Sequence, residues 1–155
     1  MRLAVVIIFG IFLVAGFGCH QYIKRSQTES IFRDIPVELA KTKNFVGEFG
    51  GACAAARVPL SLDAILTMRK TGVEGLNRLP TASRRRQTWL PTPFKPKFGI
   101  TAESEFQGNN TLVTMIHDQI TLTLQLPGSY IYETDEKIVV VDPERGKILY
   151  ESCYK

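Results

Sequence analysis

The sequence predicts an α+β domain, in which one or two helices cover an antiparallel sheet of four to five strands, preceded by an N-terminal membrane helix. Residues 3–19 contain no charged side chain, and the last third of the chain is rich in β-branched and aromatic residues that alternate with polar ones. We therefore divide the chain into a transmembrane signal anchor or signal peptide (residues 1–23), an amphipathic connector helix (24–46) and a soluble α+β domain (47–155).

Composition favours a folded domain over a disordered chain. Hydrophobic residues make up 45% and charged residues 22% of the 155 residues, which is close to the average for globular proteins. A chain of this length has room for one domain of typical size and can bury a core without a metal ion or many disulfides.

The N-terminal run of uncharged residues, 3–19, has the properties of a membrane segment. At about 1.5 Å per residue it gives a helix of roughly 25 Å, and residues 20–23 extend it towards the ~30 Å of a bilayer core. Tyr22, followed by Lys24 and Arg25, is typical of a membrane interface. The sequence therefore predicts a single-pass membrane segment.

Three fates fit this segment: a retained signal anchor, a cleaved secretory signal peptide, and a lipoprotein signal. Gly16 and Gly18 are small residues suited to cleavage before Cys19, which is the candidate lipidation site. The very short N-terminal flank is typical of exported proteins. We therefore expect the following domain to lie on the extracytoplasmic, periplasmic side of the membrane.

The other two cysteines, Cys53 and Cys153, form a candidate disulfide. In an oxidising compartment, closing a loop of about one hundred residues contributes up to roughly 4.7 kcal/mol if the effect comes from chain entropy. Two buried free thiols are the alternative that the sequence leaves open.

Helices are expected in the first half of the chain. Residues 26–45 have an amphipathic helical pattern that Pro36 interrupts. Ser61 is a good N-cap for a helix over 62–71, and Gly72 is its expected stop. Further apolar residues predict one or two more helical turns before Pro80. These helices are expected to cover one face of the sheet.

The sheet is expected mainly in the second half. A run of small residues, 52–58, follows a flexible glycine-rich stretch, 47–51, and predicts a first strand. The clearest alternation lies in 120–126, where four aliphatic residues point one way and polar residues the other. Period-two patterns and intervening turns predict strands over residues 111–117, 120–126, 129–134, 137–142 and 147–153.

The segment 80–98 is expected to be a long surface loop, because it holds four of the eight prolines and shows no apolar period. It lies in a basic region, since residues 57–97 carry nine basic and two acidic side chains, whereas residues 98–155 carry four basic and nine acidic ones. Arginines beside aromatic rings are suited to an anionic partner. The candidate partner-binding residues, which we call the basic loop, are Arg84, Arg85, Arg86, Trp89, Phe94, Lys95 and Lys97.

A second interpretation of the basic loop stays open. Its arginines would meet the acidic C-terminal half of the same domain, and Trp89 and Phe94 would fill the edge of the core. Where an external partner exists, an acidic protein or anionic lipid headgroups fit the expected location better than nucleic acid. The sequence shows no evident small-molecule substrate.

Residues suited to catalysis are few. The chain has two histidines, and the second, His117, is followed by Asp118 at what the pattern predicts to be a strand end. Neighbouring strand residues point to opposite faces, so this pair would not act together without a turn. No cysteine or histidine spacing predicts a metal site, and no glycine-rich motif predicts a nucleotide or another cofactor.

These observations favour a membrane-anchored cell-envelope protein that acts as a non-catalytic binding or assembly module. One specific form is an immunity-type inhibitor of a toxin that targets the envelope. The competing class is a small envelope hydrolase that uses His117.

Overall fold

A computed structural model describes most of the chain after the predicted membrane segment. The predicted membrane segment with Cys19, and the basic-loop residues Arg85 and Lys97, lie outside the described residues. Within the described residues, no helix has the length and apolar character needed to cross a membrane. The described residues are 25–26, 28–43, 45–50, 53–84, 86–96 and 111–153.

A sheet of six antiparallel strands forms the centre of the described domain, in the order β1-β2-β6-β5-β4-β3. The expectation of four to five strands was therefore too low. The strands are β1 (Val46–Gly50), β2 (Cys53–Pro59), β3 (Leu90–Pro91), β4 (Tyr130–Glu133), β5 (Lys137–Asp142) and β6 (Lys147–Cys153).

Three helices cover both faces of this sheet in the described part of the chain, which corrects the expectation of one or two helices on a single face. The helices are α1 (Leu62–Asn77), α2 (Pro80–Arg84) and α3 (Thr111–Gln125). One core lies between one face of the sheet and the layer formed by α1, α2 and the connector. It includes Met68, Leu76 and Ile148. The other lies beneath α3 and includes Ile116 and Leu149. The alternation of strand residues explains the two cores, because adjacent residues of β6 point to opposite faces.

Helix α3 replaces the two strands that the sequence predicted over residues 111–117 and 120–126. Four side chains share one face at helical spacing and are buried against the sheet: Val113, Ile116, Ile120 and Leu124. The residues between the two predicted strands do not form a turn, so a single helix of 15 residues continues through them. Burial of one continuous apolar stripe explains this preference for helix over strand.

The first half of the domain follows the predicted capping signals. Ser61 caps α1 by accepting a hydrogen bond from the backbone N–H of Ala64 at 3.1 Å. Gly72 interrupts the helix with φ 59°, a conformation that glycine adopts without a side-chain clash. The helical turns of the connector end at Asp34, shortly before Pro36. Asp34 then binds Nζ of Lys137 at 2.6 Å, which holds the connector on the sheet.

Two other segments differ from expectation. The glycine-rich stretch 47–51 was expected to be flexible, but its residues 47–50 belong to β1 and pair with β2. At Gly47 a side chain would meet the backbone of Ala55, so only glycine allows the strands to approach this closely. The segment 80–98 was expected to be one long loop, but it contains α2 and the short edge strand β3.

Candidate functional site

The basic loop crosses the outer edge of the sheet, next to β3. Arg84 ends α2, and Arg86 follows with φ 53°. This left-handed backbone is uncommon for a residue other than glycine, and it turns the chain back towards the core. The side chains of Arg84, Arg86 and Lys95 are exposed. The loop therefore presents at least these three cations to solvent.

Trp89 lies in the core and not on the binding surface that the sequence predicted. Its side chain is 1% exposed, and its ring centroid lies 5.8 Å from that of Tyr132. The backbone N–H of Trp89 donates to Oδ1 of Asn77 at 2.7 Å, and Nδ2 of Asn77 donates to the carbonyl of Trp89 at 3.3 Å. These contacts fasten the loop to the end of α1. Trp89 therefore has a structural role and does not offer its ring to a partner.

Phe94 fastens the other end of the loop on the opposite face of the sheet. Its side chain packs against the core beneath α3, and its backbone N–H donates to the carbonyl of Leu124 at 2.9 Å. Between the two aromatic residues, the backbone N–H of Thr92 donates to the carbonyl of Ser129 at 2.9 Å. The loop backbone is thus held on both sides of the sheet. An open cleft of about 610 Å³ lies between this part of the loop and the end of α3.

A second group of cations, which the sequence analysis did not single out, lies where β1 begins, β2 ends and β6 begins. Here an open cleft of about 420 Å³ combines basic side chains with an apolar wall. We call it the cationic cleft, and its lining residues are Phe45, Val46, Arg57, Pro59, Arg145, Gly146 and Lys147. The register explains the grouping, since Arg57 pairs with Val46 on one side, while Pro59 pairs with Lys147 on the other.

The cations of the cationic cleft are incompletely neutralised. Arg145 is paired, because its Nη1 lies 2.9 Å from Oδ2 of the buried Asp142. Lys147 instead donates from Nζ to a neutral amide, Oε1 of Gln119, at 2.8 Å. Among the side chains that the structure describes, no carboxylate forms an ion pair with Arg57 or Lys147.

Burial lowers the pKa of the Lys147 amine. The negative charge of Asp142 opposes this effect, whereas the positive charges of Arg145 and Arg57 add to it. Burial and the two neighbouring guanidinium groups thus disfavour the charged form of the Lys147 amine.

His117 and Glu151 form a close pair beneath α3. Nδ1 of His117 lies 3.0 Å from Oε2 and 3.3 Å from Oε1 of Glu151, whose side chain is 1% exposed. Burial raises the pKa of the Glu151 carboxyl, and the hydrogen bond and charge of His117 partly offset that rise. The His117 ring is 26% exposed, so it connects this buried carboxyl with solvent. Asp118, the partner that the sequence had offered for His117, faces away and is exposed.

A disulfide joins Cys53 and Cys153. The two residues are directly paired partners in β2 and β6, with their Cα atoms 4.1 Å apart. Disulfides persist in oxidising compartments, so this bond indicates an extracytoplasmic location. Across the described ranges, no group of three His, Cys, Asp or Glu side chains is arranged to hold a metal ion.

The site residues that sequence reasoning missed come together only through strand register. Glu151 follows the apolar run Ile148–Tyr150 within β6, and a carboxylate inside a predicted strand was the available signal. Arg57 and Lys147 are far apart in sequence, and nothing in the local pattern joins them.

Comparison of the chain with protein-family models, with curated proteins and with solved structures finds no match.

Proposed function

We propose that this protein is a membrane-anchored cell-envelope protein that acts as a non-catalytic binding or assembly module. The uncharged N-terminal run supports attachment to the membrane, and the Cys53–Cys153 disulfide supports an oxidising side of it. The basic loop is the surface that receives the partner.

The observation that carries this proposal is the rigid presentation of the loop cations. Trp89 and Phe94 fix the loop backbone on opposite faces of the sheet, and Arg84, Arg86 and Lys95 remain exposed between or beside them. A loop that is ordered before binding loses less conformational entropy when it binds. Its exposed charges also accelerate encounter with an oppositely charged surface.

The partner is anionic: an acidic protein or the headgroups of anionic lipids. Both occur at the outer surface of a membrane, and guanidinium groups suit carboxylates and phosphates alike. The specific form of an immunity-type inhibitor belongs to the same proposal, with an acidic region of an envelope-targeted toxin as the bound surface.

The proposal is tested by capture from solubilised membranes, using the tagged full-length chain and mass spectrometry of bound proteins and lipids. The loop variant combines Arg84→Gln, Arg86→Asn and Lys95→Gln. Asparagine is chosen at position 86 because it tolerates the positive φ found there better than glutamine does. We expect the variant to lose most of the captured partner and to show a weaker dependence of capture on salt.

The matched control carries the same change of charge elsewhere on the surface: Arg33→Gln, Lys41→Gln and Lys70→Gln, all at exposed positions. This control should capture the partner as the unmodified chain does. Equal capture by the loop variant across the whole salt series would remove the basic loop as the binding surface. The mass of the mature N-terminus in the same sample distinguishes retention, cleavage and lipidation of the membrane segment.

A second candidate function, hydrolysis that uses His117, is favoured by one observation. The Nδ1 contact with Glu151 is the arrangement by which a carboxylate orients a catalytic imidazole, and the ring is partly exposed. His117→Ala discriminates between the two functions. The measurement is whether the variant still replaces the unmodified protein in cells that lack it. Failure to do so, with an intact fold and intact partner capture, would favour the hydrolase, whereas full replacement would favour the binding module.

A further inference from the structure

The cationic cleft lies at the edge of the sheet opposite the basic loop, and its chemistry differs from that of a solvated basic surface. Surface lysines usually keep their amines in water and pair loosely with carboxylates. Here the Lys147 amine is partly buried beside the guanidinium groups of Arg57 and Arg145. Its hydrogen bond goes to the neutral side chain of Gln119.

The charge balance of the cleft specifies the charge of its ligand. Among the side chains that the structure describes here, three cations, Arg57, Arg145 and Lys147, lie near one carboxylate, that of Asp142. The described side chains of the cleft therefore leave an excess of two positive charges, 3 − 1. A phosphate monoester carries about −1.5 to −2 charges at neutral pH and offers three acceptor oxygens. It matches this excess better than a carboxylate or a phosphate diester, each of which carries one negative charge.

The apolar wall specifies that the anion belongs to a larger molecule. Phe45, Val46 and Pro59 line the cleft beside the cations. A volume of about 420 Å³ is within the range of small-molecule sites and exceeds what a bare phosphate ion needs. The cleft thus combines anion-binding groups with a surface for a carbon body.

We propose that the cationic cleft binds a phosphate monoester, with the phosphate held by Arg57, Arg145 and Lys147 and the carbon body against Phe45, Val46 and Pro59. This site is independent of the basic loop and of any partner bound there. The same headgroup chemistry is found in soluble phosphate esters and in monoester lipids such as phosphatidic acid.

The test uses the full-length chain in a nonionic detergent, with binding followed by isothermal titration calorimetry and NMR. The probes are phenyl phosphate, the diester methyl phenyl phosphate, and benzoate. We expect saturable binding of phenyl phosphate and clearly weaker binding of the two singly charged probes. Absence of saturable binding, or equal affinity for all three probes, would overturn the proposal.

Arg57→Gln is the diagnostic variant, because Arg57 is exposed and its replacement should leave the fold intact. Loss of one charge-assisted hydrogen bond should weaken phenyl phosphate binding by about tenfold or more. Lys70→Gln removes an exposed charge from α1 outside the cleft and should leave the affinity unchanged. Equal weakening by both variants would show non-specific charge attraction and contradict a built site. The thermal midpoint of each variant confirms that the fold is retained.

The source of the phosphate is identified by two further probes with the same headgroup. Glycerol 3-phosphate lacks acyl chains, and dioctanoyl phosphatidic acid carries two short ones. Similar affinities for the two would support a soluble phosphate ester, whereas much tighter binding of the acylated probe would support a lipid headgroup. In both cases Arg57→Gln must weaken the binding, and binding that is insensitive to this change would count against the cleft.

Discussion

At the residue scale, Glu151 illustrates how a buried ionisable group can be placed by strand register. Its neighbours along β6 are Tyr150 and Ser152, and its backbone partner in β5 is Ile138, which belongs to the core beneath α3. The carboxyl therefore points into the core beneath α3, where the ring of His117 is its hydrogen-bond partner. A charged group in such a place destabilises the fold unless it is neutralised or paired.

The free energy of unfolding should depend on pH because of the cost of burying the charged Glu151 carboxylate. The native-state pKa of Glu151 lies above its ordinary value because of burial. The native state is thus not penalised while the carboxyl is protonated, below its unfolded-state pKa of about 4.3. Stability is then lost as the pH rises from the unfolded-state value through the native-state value.

We therefore expect Glu151→Gln to have a stability advantage that grows with pH across that interval and then stays constant. Glutamine keeps the shape and a hydrogen bond to His117 but cannot ionise. Urea denaturation from pH 4 to pH 8 measures the difference, and Asp118→Asn on the exposed side of α3 is the matched control. Parallel curves for Glu151→Gln and the unmodified chain would show that the burial penalty is absent.

The residue scale is also where prediction from sequence had least success. His117 was recognised as the only histidine available for chemistry, but its partner was sought in the adjacent Asp118. The true partner, Glu151, lies 34 residues away. Such a pairing depends on which helix covers which strand, and local patterns do not contain that information. Burial of Trp89 was one of the two interpretations that the sequence left open, and the structure shows its side chain in the core.

At the scale of elements, strands whose apolar residues form continuous runs were predictable. The predicted strands 137–142 and 147–153 coincide with β5 and β6. Both are central and are covered on two sides, so nearly every residue is buried. Strand β3 was missed because a strand of only two residues is too short to show an alternating pattern. Strand β1 was missed because its glycines suggested flexibility.

Helix α3 was missed because one stretch of sequence satisfied both periods. Ile120 and Leu124 are four residues apart, which suits a helix, and together with Leu122 they also alternate as in a strand. In the helix, Leu122 points away from the sheet and is 61% exposed, whereas Ile120 is buried. A strand would place Ile120 and Leu122 on the same face, whereas the helix buries Ile120 and exposes Leu122.

We expect Leu122→Gln to change the free energy of unfolding by no more than about 0.5 kcal/mol, because it affects a solvent-facing position. Ile120→Ala should destabilise the domain by about 2–5 kcal/mol, because it leaves a cavity beneath α3. Urea denaturation of both variants measures these values. Similar, large losses for the two would restore the strand interpretation, in which both side chains share a buried face.

At the scale of the whole molecule, the disulfide joins the two strands, β2 and β6, that the sheet already pairs. Strand β2 lies early in the described domain and β6 lies at its end, and the two are direct neighbours. Their pairing brings together residues separated by 100 positions, and Cys53–Cys153 closes that loop covalently.

The overall class, α+β with an antiparallel sheet, was predictable because it follows from composition and turn signals. The addition of a helical layer on the second face was not.

Removal of this cross-link should therefore affect the stability of the entire domain. In the unfolded chain the disulfide restricts a loop of about one hundred residues, and the chain-entropy account assigns up to about 4.7 kcal/mol to this restriction. We expect the double variant Cys53→Ser, Cys153→Ser to lower the free energy of unfolding by up to that amount, and reductant to have the same effect on the unmodified chain. Cys19→Ser, which keeps the disulfide, is the control and should retain full stability without reductant. Urea midpoints that coincide for the oxidised chain, the reduced chain and the double variant would show that β2–β6 pairing alone holds the ends of the domain together, and would contradict a stabilising role of the disulfide.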